Sequence, residues 1–107
     1  YITDAVEMIQ LLAESDATIG EAYNLGNEEE ELTMYELAEK IISLIGKEIK
    51  INSLSDTPGS PERRIPSIQK LNKAIKFTKA YSLEEGLKQT FEWYNKEIFL
   101  GNKASAI

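Results

Sequence analysis

All three prolines of the chain, Pro58, Pro61 and Pro66, fall in one stretch that divides the 107 residues into two parts. Proline lacks an amide hydrogen and fixes φ, so neither a helix interior nor a central strand can run through the segment from Leu54 to Pro66. Irregular segments of this length are uncommon in compact domains and often carry function. Residues 54–66 are therefore predicted to form a loop, with regular structure on both sides.

Two capping boxes mark the starts of helices on either side of this loop. In each box a threonine or serine, Thr33 or Ser82, is followed three residues later by a glutamate, so that side chains and backbone amides satisfy one another. The helix that begins after Thr33 is predicted to end at Gly46, because glycine readily adopts the left-handed conformation found at helix carboxyl termini.

The remaining elements have weaker signals. Asp4 is predicted to cap a helix over residues 5–14, and Ser67 a short helix after the loop. Residues 22–25 and 49–52 are predicted to be two short strands, which would form a weak sheet because isolated two-stranded pairs are marginal in water. The sequence thus predicts an α/β fold dominated by helices, with residues 1–100 as one domain and residues 101–107 as a frayed tail.

Composition argues against several classes of function. The chain has no cysteine and no histidine, so thiolate nucleophiles, histidine acid–base catalysis and zinc sites with sulfur or nitrogen ligands are not expected. A formal net charge of −6 would repel a nucleic-acid backbone. No apolar run approaches the roughly 18 residues of a membrane span. No signal-peptide pattern precedes the first helix, so no membrane partner and a cytoplasmic location are predicted.

Five short motifs occur in a characteristic order. They are Tyr1-Ile2-Thr3-Asp4-Ala5-Val6, Ala22-Tyr23-Asn24-Leu25-Gly26-Asn27, Thr33 with Glu36-Leu37-Ala38, Glu62-Arg63-Arg64-Ile65-Pro66-Ser67-Ile68 and Ser82-Leu83-Glu84-Glu85-Gly86-Leu87. In order and spacing they resemble the end of extended short-chain dehydrogenase/reductase proteins that act on nucleotide sugars, the NAD-dependent epimerase/dehydratase family. The resemblance covers nearly the whole chain. It departs from the family at Ser67, where aspartate is usual, and at residues 74–79, which lack the usual glycine and proline.

The resemblance implies that the chain is part of a larger enzyme. In this family an amino-terminal Rossmann domain binds NAD, and the carboxyl-terminal part binds a nucleoside-diphosphate sugar. The chain is therefore expected to be a carboxyl-terminal subdomain fragment without its Rossmann domain. The parent would be an NAD-dependent nucleotide-sugar epimerase or dehydratase, and a homodimer through its Rossmann domain. The run from Arg64 to Ile68 most resembles the branch that decarboxylates UDP-glucuronate.

The family's catalytic groups are not found in this sequence. No two glycines stand three residues apart, so this sequence lacks the Gly-x-x-Gly spacing of the glycine-rich turn in a dinucleotide site. None of the five tyrosines is followed four residues later by lysine, the spacing of the family's catalytic pair. The fragment is therefore predicted to bind no cofactor or metal and to be inactive alone.

Arg63 and Arg64 are the candidate substrate-binding residues. A guanidinium is always charged, and its planar donors match phosphate oxygens. The residue pattern alone favours solvated loop charges or partners for surface carboxylates. The resemblance instead favours diphosphate binding, with Arg64 the better match because it stands two residues before Pro66, as the arginine of the resembling loops does.

Two other clusters have simpler structural interpretations. The acidic run Glu28–Glu31 lacks the alternating ligand spacing of a calcium loop and is predicted to be a solvated turn. Trp93, with Phe91 and Tyr94, would suit a stacking platform, but helical spacing predicts that Phe91 and Tyr94 pack in the core.

A different class of function also fits the pattern. The chain would then be a stand-alone, non-enzymatic module that binds a protein partner through an exposed apolar face. The coding sequence upstream of Tyr1 distinguishes the two: a glycine-rich turn plus a Tyr-x-x-x-Lys motif supports the enzyme, and an immediate start codon supports the module.

Overall fold

The computed structural model describes residues 1–100, and within them every regular element is helical. The four α-helices are α1 (Ile2–Ala13), α2 (Met34–Ile45), α3 (Gln69–Ala74) and α4 (Leu83–Trp93). A 3-10 turn at Asp16–Thr18 follows α1, and α4 continues as a π-helical segment at Tyr94–Leu100. The predicted tail, residues 101–107, lies outside the described residues. None of the helices within residues 1–100 has both the length and the apolar character needed to cross a membrane.

Local sequence sets the boundaries of α2 and α4, as predicted. Thr33 and Ser82 each accept a hydrogen bond from the amide of the glutamate three residues on, and the carboxylates of Glu36 and Glu85 accept from the amides of Thr33 and Ser82. Gly46 ends α2 with a φ of 68°, a conformation that is costly for residues with a Cβ atom. Both capping boxes and the glycine stop are confirmed.

Asp4 does not cap a helix. It lies in the first turn of α1, which begins at Ile2, and it is only 4% exposed. One carboxylate oxygen accepts a hydrogen bond from the amide of Ala80 at 3.2 Å, and the other accepts one from the amide of Tyr81 at 3.2 Å. The predicted cap is therefore wrong, and the carboxylate instead ties α1 to the residues that precede α4.

The two predicted strands, residues 22–25 and 49–52, are not found within residues 1–100. A strand needs a neighbour that takes up its backbone hydrogen bonds, and neither segment has one among the described residues. Segment 22–25 instead packs Tyr23 and Leu25 against the core. The predicted dominance of helices is confirmed, and the predicted pair of strands is wrong.

The core lies between α1 and α3. Met8 of α1 and Leu71 of α3 are buried, together with Ile75 directly after α3. Partly buried apolar side chains surround them: Leu11, Leu12, Tyr23, Leu25, Ile68, Ala74 and Phe77. This small cluster anchors the end of the proline-containing loop, because Ile68 belongs to it.

Packing is sparse for a chain of this length. The radius of gyration is 17.8 Å, whereas a compact chain of about 107 residues has a radius of gyration of about 13 Å. On α1, Ile2, Val6 and Ile9 lie on one face and are 66%, 55% and 53% exposed. The fold therefore leaves a stripe of apolar surface on α1 that the described residues do not cover.

Candidate functional site

The carboxyl-terminal end of the proline loop is held against the segment that begins at Asn24. The side-chain amide of Asn24 donates a hydrogen bond to the carbonyl oxygen of Ser67 at 3.4 Å. Pro66 approaches Gly26 so closely that a Cβ atom at position 26 would lie 2.5 Å from Cγ of Pro66. Only glycine permits this approach without a shift of one segment against the other.

Arg63 and Glu31 form the next contact between the same two segments. Nε of Arg63 donates to one carboxylate oxygen of Glu31 at 2.7 Å, and Nη2 donates to the other at 2.9 Å. This is the two-point geometry that makes arginine–carboxylate pairs directional. The hydrogen bond from Arg63 lowers the pKa of the Glu31 carboxyl, and the same bond raises the pKa of Arg63. We call the paired segments, residues 24–31 and 63–68, the seam.

Glu28, Glu29 and Glu31 of the acidic run are exposed to solvent, as the sequence predicts, but the run is also joined to other parts of the chain. Each of its carboxylates has a partner from another part of the chain. The partners are the amide of Ile68 for Glu28, Lys79 for Glu29, the amide of Leu83 for Glu30 and the guanidinium of Arg63 for Glu31. The hydrogen bonds in this set join residues that are 32 to 53 positions apart, so no local pattern identifies them. Among residues 1–100, acidic side chains do not converge in a group of three that could hold a metal ion.

Arg64 differs from Arg63 in its surroundings. Its side chain is exposed, and no hydrogen bond or ion pair joins it to another residue of the described chain. Its guanidinium therefore offers five N–H donors to a ligand, a set suited to phosphate or carboxylate oxygens. The structure separates two arginines that the sequence presents as equivalent, because only Arg63 has an internal partner within residues 1–100.

A groove of about 1240 Å³ opens beside the seam. Apolar side chains such as Met8 and Phe77 line it, and so do the seam residues Asn27 and Glu28. Neither candidate arginine is among the lining residues. The groove is larger than the roughly 300–1,000 Å³ of a typical ligand pocket, in keeping with the sparse packing of the helices around it.

The aromatic cluster at the end of α4 lies outside the core. Phe91 is half-buried but is not among the side chains packed against the core, and Tyr94 is 48% exposed, so the predicted core position is confirmed for neither residue. Trp93 lines the groove and is 52% exposed, and its ring meets that of Tyr94 edge-on with 5.1 Å between centroids. The indole is therefore an exposed apolar group on α4.

Comparison with known proteins identifies several relatives. The chain is 34% identical over 98 residues to UDP-glucuronic acid decarboxylase 1 of Danio rerio, a match that covers 92% of the chain and 23% of the relative. It is 37% identical over 87 residues to UDP-glucuronic acid decarboxylase 6 of Arabidopsis thaliana, which covers 81% of the chain and 24% of the relative. It is 27% identical over 104 residues to dTDP-glucose 4,6-dehydratase of Xanthomonas campestris pv. campestris, with coverage of 88% and 29%. No protein-family model matches the chain, and no solved structure does so at a significant level.

These relatives define a class of protein, the decarboxylases and dehydratases named for nucleotide-linked sugars. The chain spans about a quarter of the length of the curated relatives it matches and corresponds to a carboxyl-terminal part of them. It belongs to the NAD-dependent epimerase/dehydratase family. The resemblance carried by the five sequence motifs is thereby confirmed.

Proposed function

We propose that the chain is the nucleotide-sugar-binding part of an NAD-dependent nucleotide-sugar enzyme, and that the parent enzyme decarboxylates UDP-glucuronate. The comparisons support this choice of branch, because identity to the two decarboxylases is 34% and 37%, against 27% for the dehydratase. The run from Arg64 to Ile68, which resembles the decarboxylase branch, agrees with this choice. The ligand is a nucleoside-diphosphate sugar, and its diphosphate is the group that a cation recognises.

The observation that carries the proposal is the setting of Arg64. In a chain with a formal net charge of −6, an exposed guanidinium without a partner among residues 1–100 is well placed to bind an external anion. Arg64 is accordingly the diphosphate ligand. Arg63 is the second candidate, but its Nε and Nη2 donate to Glu31, so the primary contact falls to Arg64.

The residues of this chain do not fit NAD. The sequence contains neither a Gly-x-x-Gly turn nor a Tyr-x-x-x-Lys pair, so the cofactor and the catalytic base belong to an amino-terminal Rossmann domain of the parent, and this chain is inactive alone. The exposed stripe of Ile2, Val6 and Ile9 supports this arrangement, because a covering domain would bury it.

Replacement of Arg64 by alanine in the intact parent enzyme tests the proposal. Loss of a charge-assisted contact to phosphate should weaken UDP binding by about ten- to a hundredfold, measured by isothermal titration calorimetry. Retention of NAD should be unchanged. Lys73→Ala is the matched control, since it removes the same charge from an exposed site in the last turn of α3, and it should change affinity less than about twofold.

Equal affinities for the Arg64→Ala and Lys73→Ala enzymes would remove Arg64 from the site. An Arg64→Ala enzyme that also loses NAD would point to a general structural role instead.

A further inference from the structure

The seam fixes the backbone on both sides of Arg64. Asn24 contacts Ser67, Gly26 contacts Pro66, Glu28 accepts a hydrogen bond from the amide of Ile68, and Glu31 contacts Arg63. The two segments therefore lie side by side and are joined at both ends. Arg64 is held between one fixed point at Arg63 and another at Pro66.

The loop before Arg63 has few contacts of its own. Between Leu54 and Glu62, the described hydrogen bonds comprise one turn, in which the amide of Ser60 donates to the carbonyl of Thr57 at 3.0 Å. Arg63 is the first residue after this turn whose side chain contacts another segment. The proline at 66 restricts Ile65 to extended conformations. Without the contact at Arg63, the stretch that carries Arg64 would be fixed only at its carboxyl-terminal end.

From this geometry we propose that the Glu31–Arg63 ion pair positions Arg64 for the diphosphate, and that Arg63 is a positioning residue rather than a ligand. Neighbouring side chains of an extended segment point to opposite sides. Arg63 is directed at Glu31, whereas the exposed Arg64 side chain has no hydrogen bond or ion pair with another of residues 1–100, so its guanidinium is available to a ligand. The inference rests on the proposed function of Arg64 and assigns to Glu31 a role in substrate affinity.

Electrostatics and positioning predict opposite changes in UDP affinity when the charge of Glu31 is removed. Glu31→Gln deletes a negative charge close to the proposed phosphate site, so Coulomb attraction alone would strengthen the binding of UDP. Positioning predicts the reverse, because the loop gains freedom that binding must then remove. A weaker affinity in Glu31→Gln is therefore a result that the charge of Glu31 alone does not produce.

The test uses UDP as the probe and the intact parent enzyme, in wild-type form and as Arg64→Ala, Glu31→Gln and the exchanged pair Glu31→Arg with Arg63→Glu. Positioning predicts that Glu31→Gln weakens UDP binding about two- to fivefold, the range for loss of one exposed ion pair. The exchanged pair should recover most of that loss, because it restores the contact with the charges reversed. NAD retention and the circular dichroism spectrum serve as controls for folding. Arg63→Lys, which keeps a single-point pair, should be intermediate.

Each outcome decides the inference. If Arg64→Ala weakens binding while Glu31→Gln does not, positioning is overturned and the proposed function stands. If Glu31→Gln weakens binding and the exchanged pair recovers nothing, the contact between positions 31 and 63 is not the source of the affinity, and positioning is again overturned. If Arg64→Ala does not change UDP affinity, the proposed function is wrong, and the inference that rests on it is wrong as well. A Glu31→Gln enzyme that loses NAD or its helical spectrum reveals a structural contact, which also overturns the inference.

Discussion

Replacement of Asp4 by alanine tests how α1 is attached to the rest of the chain. The carboxylate accepts one backbone hydrogen bond on each oxygen, both at 3.2 Å, and the residue is 4% exposed. Alanine would leave the amides of Ala80 and Tyr81 without these acceptors. The perturbation removes a connection between the first turn of α1 and the residues that precede α4.

The size of the effect follows from the geometry. A hydrogen bond to a charged group contributes about 1.5–3 kcal/mol. At 3.2 Å both bonds are longer than the usual range for charge-assisted bonds, so the lower value applies to each. Asp4→Ala should therefore lower the free energy of unfolding by about 3 kcal/mol. That is a large part of the roughly 5–15 kcal/mol that stabilises a typical domain.

Urea unfolding of the chain, followed by circular dichroism at a helix band, measures this loss. With a slope of about 1–3 kcal/mol per molar urea, the midpoint should fall by about 1–3 M. Glu7→Ala is the matched control, because it removes an exposed carboxylate from the same helix and should change stability by less than about 0.5 kcal/mol. Equal midpoints for the two variants would refute the attachment by Asp4.

Three further measurements examine the seam and the proposed site. Gly26→Ala forces a Cβ atom to within 2.5 Å of Cγ of Pro66 and should destabilise the chain by about 1–3 kcal/mol in the same urea assay; an unchanged midpoint would mean that the seam adjusts freely. Arg63 lowers the pKa of Glu31 below its ordinary value of 4.5, so the pair is intact above that pH and is lost as the pH falls through the lowered pKa. The difference in UDP affinity between wild type and Glu31→Gln should accordingly disappear in acid below the lowered pKa, and a difference that persists there would contradict the ion pair as its source. Titration of the isolated chain with UDP should give at best weak binding, whereas submicromolar affinity would show that these residues form a complete site.

Elements specified by neighbouring residues could be predicted from the sequence. The boxes at Thr33 and Ser82 need only a glutamate three residues away, and both form as predicted. Gly46 ends α2 through its own backbone conformation. These signals are local and do not depend on how the helices pack.

Elements that depend on distant residues could not be predicted in this way. Asp4 has the local pattern of a helix cap, but its carboxylate accepts hydrogen bonds from the distant amides of Ala80 and Tyr81 instead. The apolar residues of segment 22–25 resemble a strand because alternate side chains face the core, although no second strand pairs with them among the described residues. Alternate burial of side chains in an irregular segment therefore gives the same sequence pattern as a paired strand.

Anion binding at the candidate site could be predicted from the sequence, but the different roles of Arg63 and Arg64 could not. Two adjacent arginines before a proline indicate anion binding, and the resemblance favours Arg64. That Arg63 has an internal partner depends on Glu31, which stands 32 residues earlier inside an acidic run. No spacing rule relates the two positions, so only the tertiary structure shows that Arg63, and not Arg64, has a partner among residues 1–100.

The hydrogen-bond donors for Asp4 stand 76 and 77 residues further along the chain. A ribosome that adds about 5–20 residues per second supplies them roughly 4–15 seconds after Asp4 has been made. Until Ala80 and Tyr81 have been made, the Asp4 carboxylate of α1 lacks both of these donors, and Met8 lacks its partner in α3 until residues 69–74 have been made. Of the four α-helices described, α1 is thus made first, yet its attachment through Asp4 is completed only when the residues before α4 have been made.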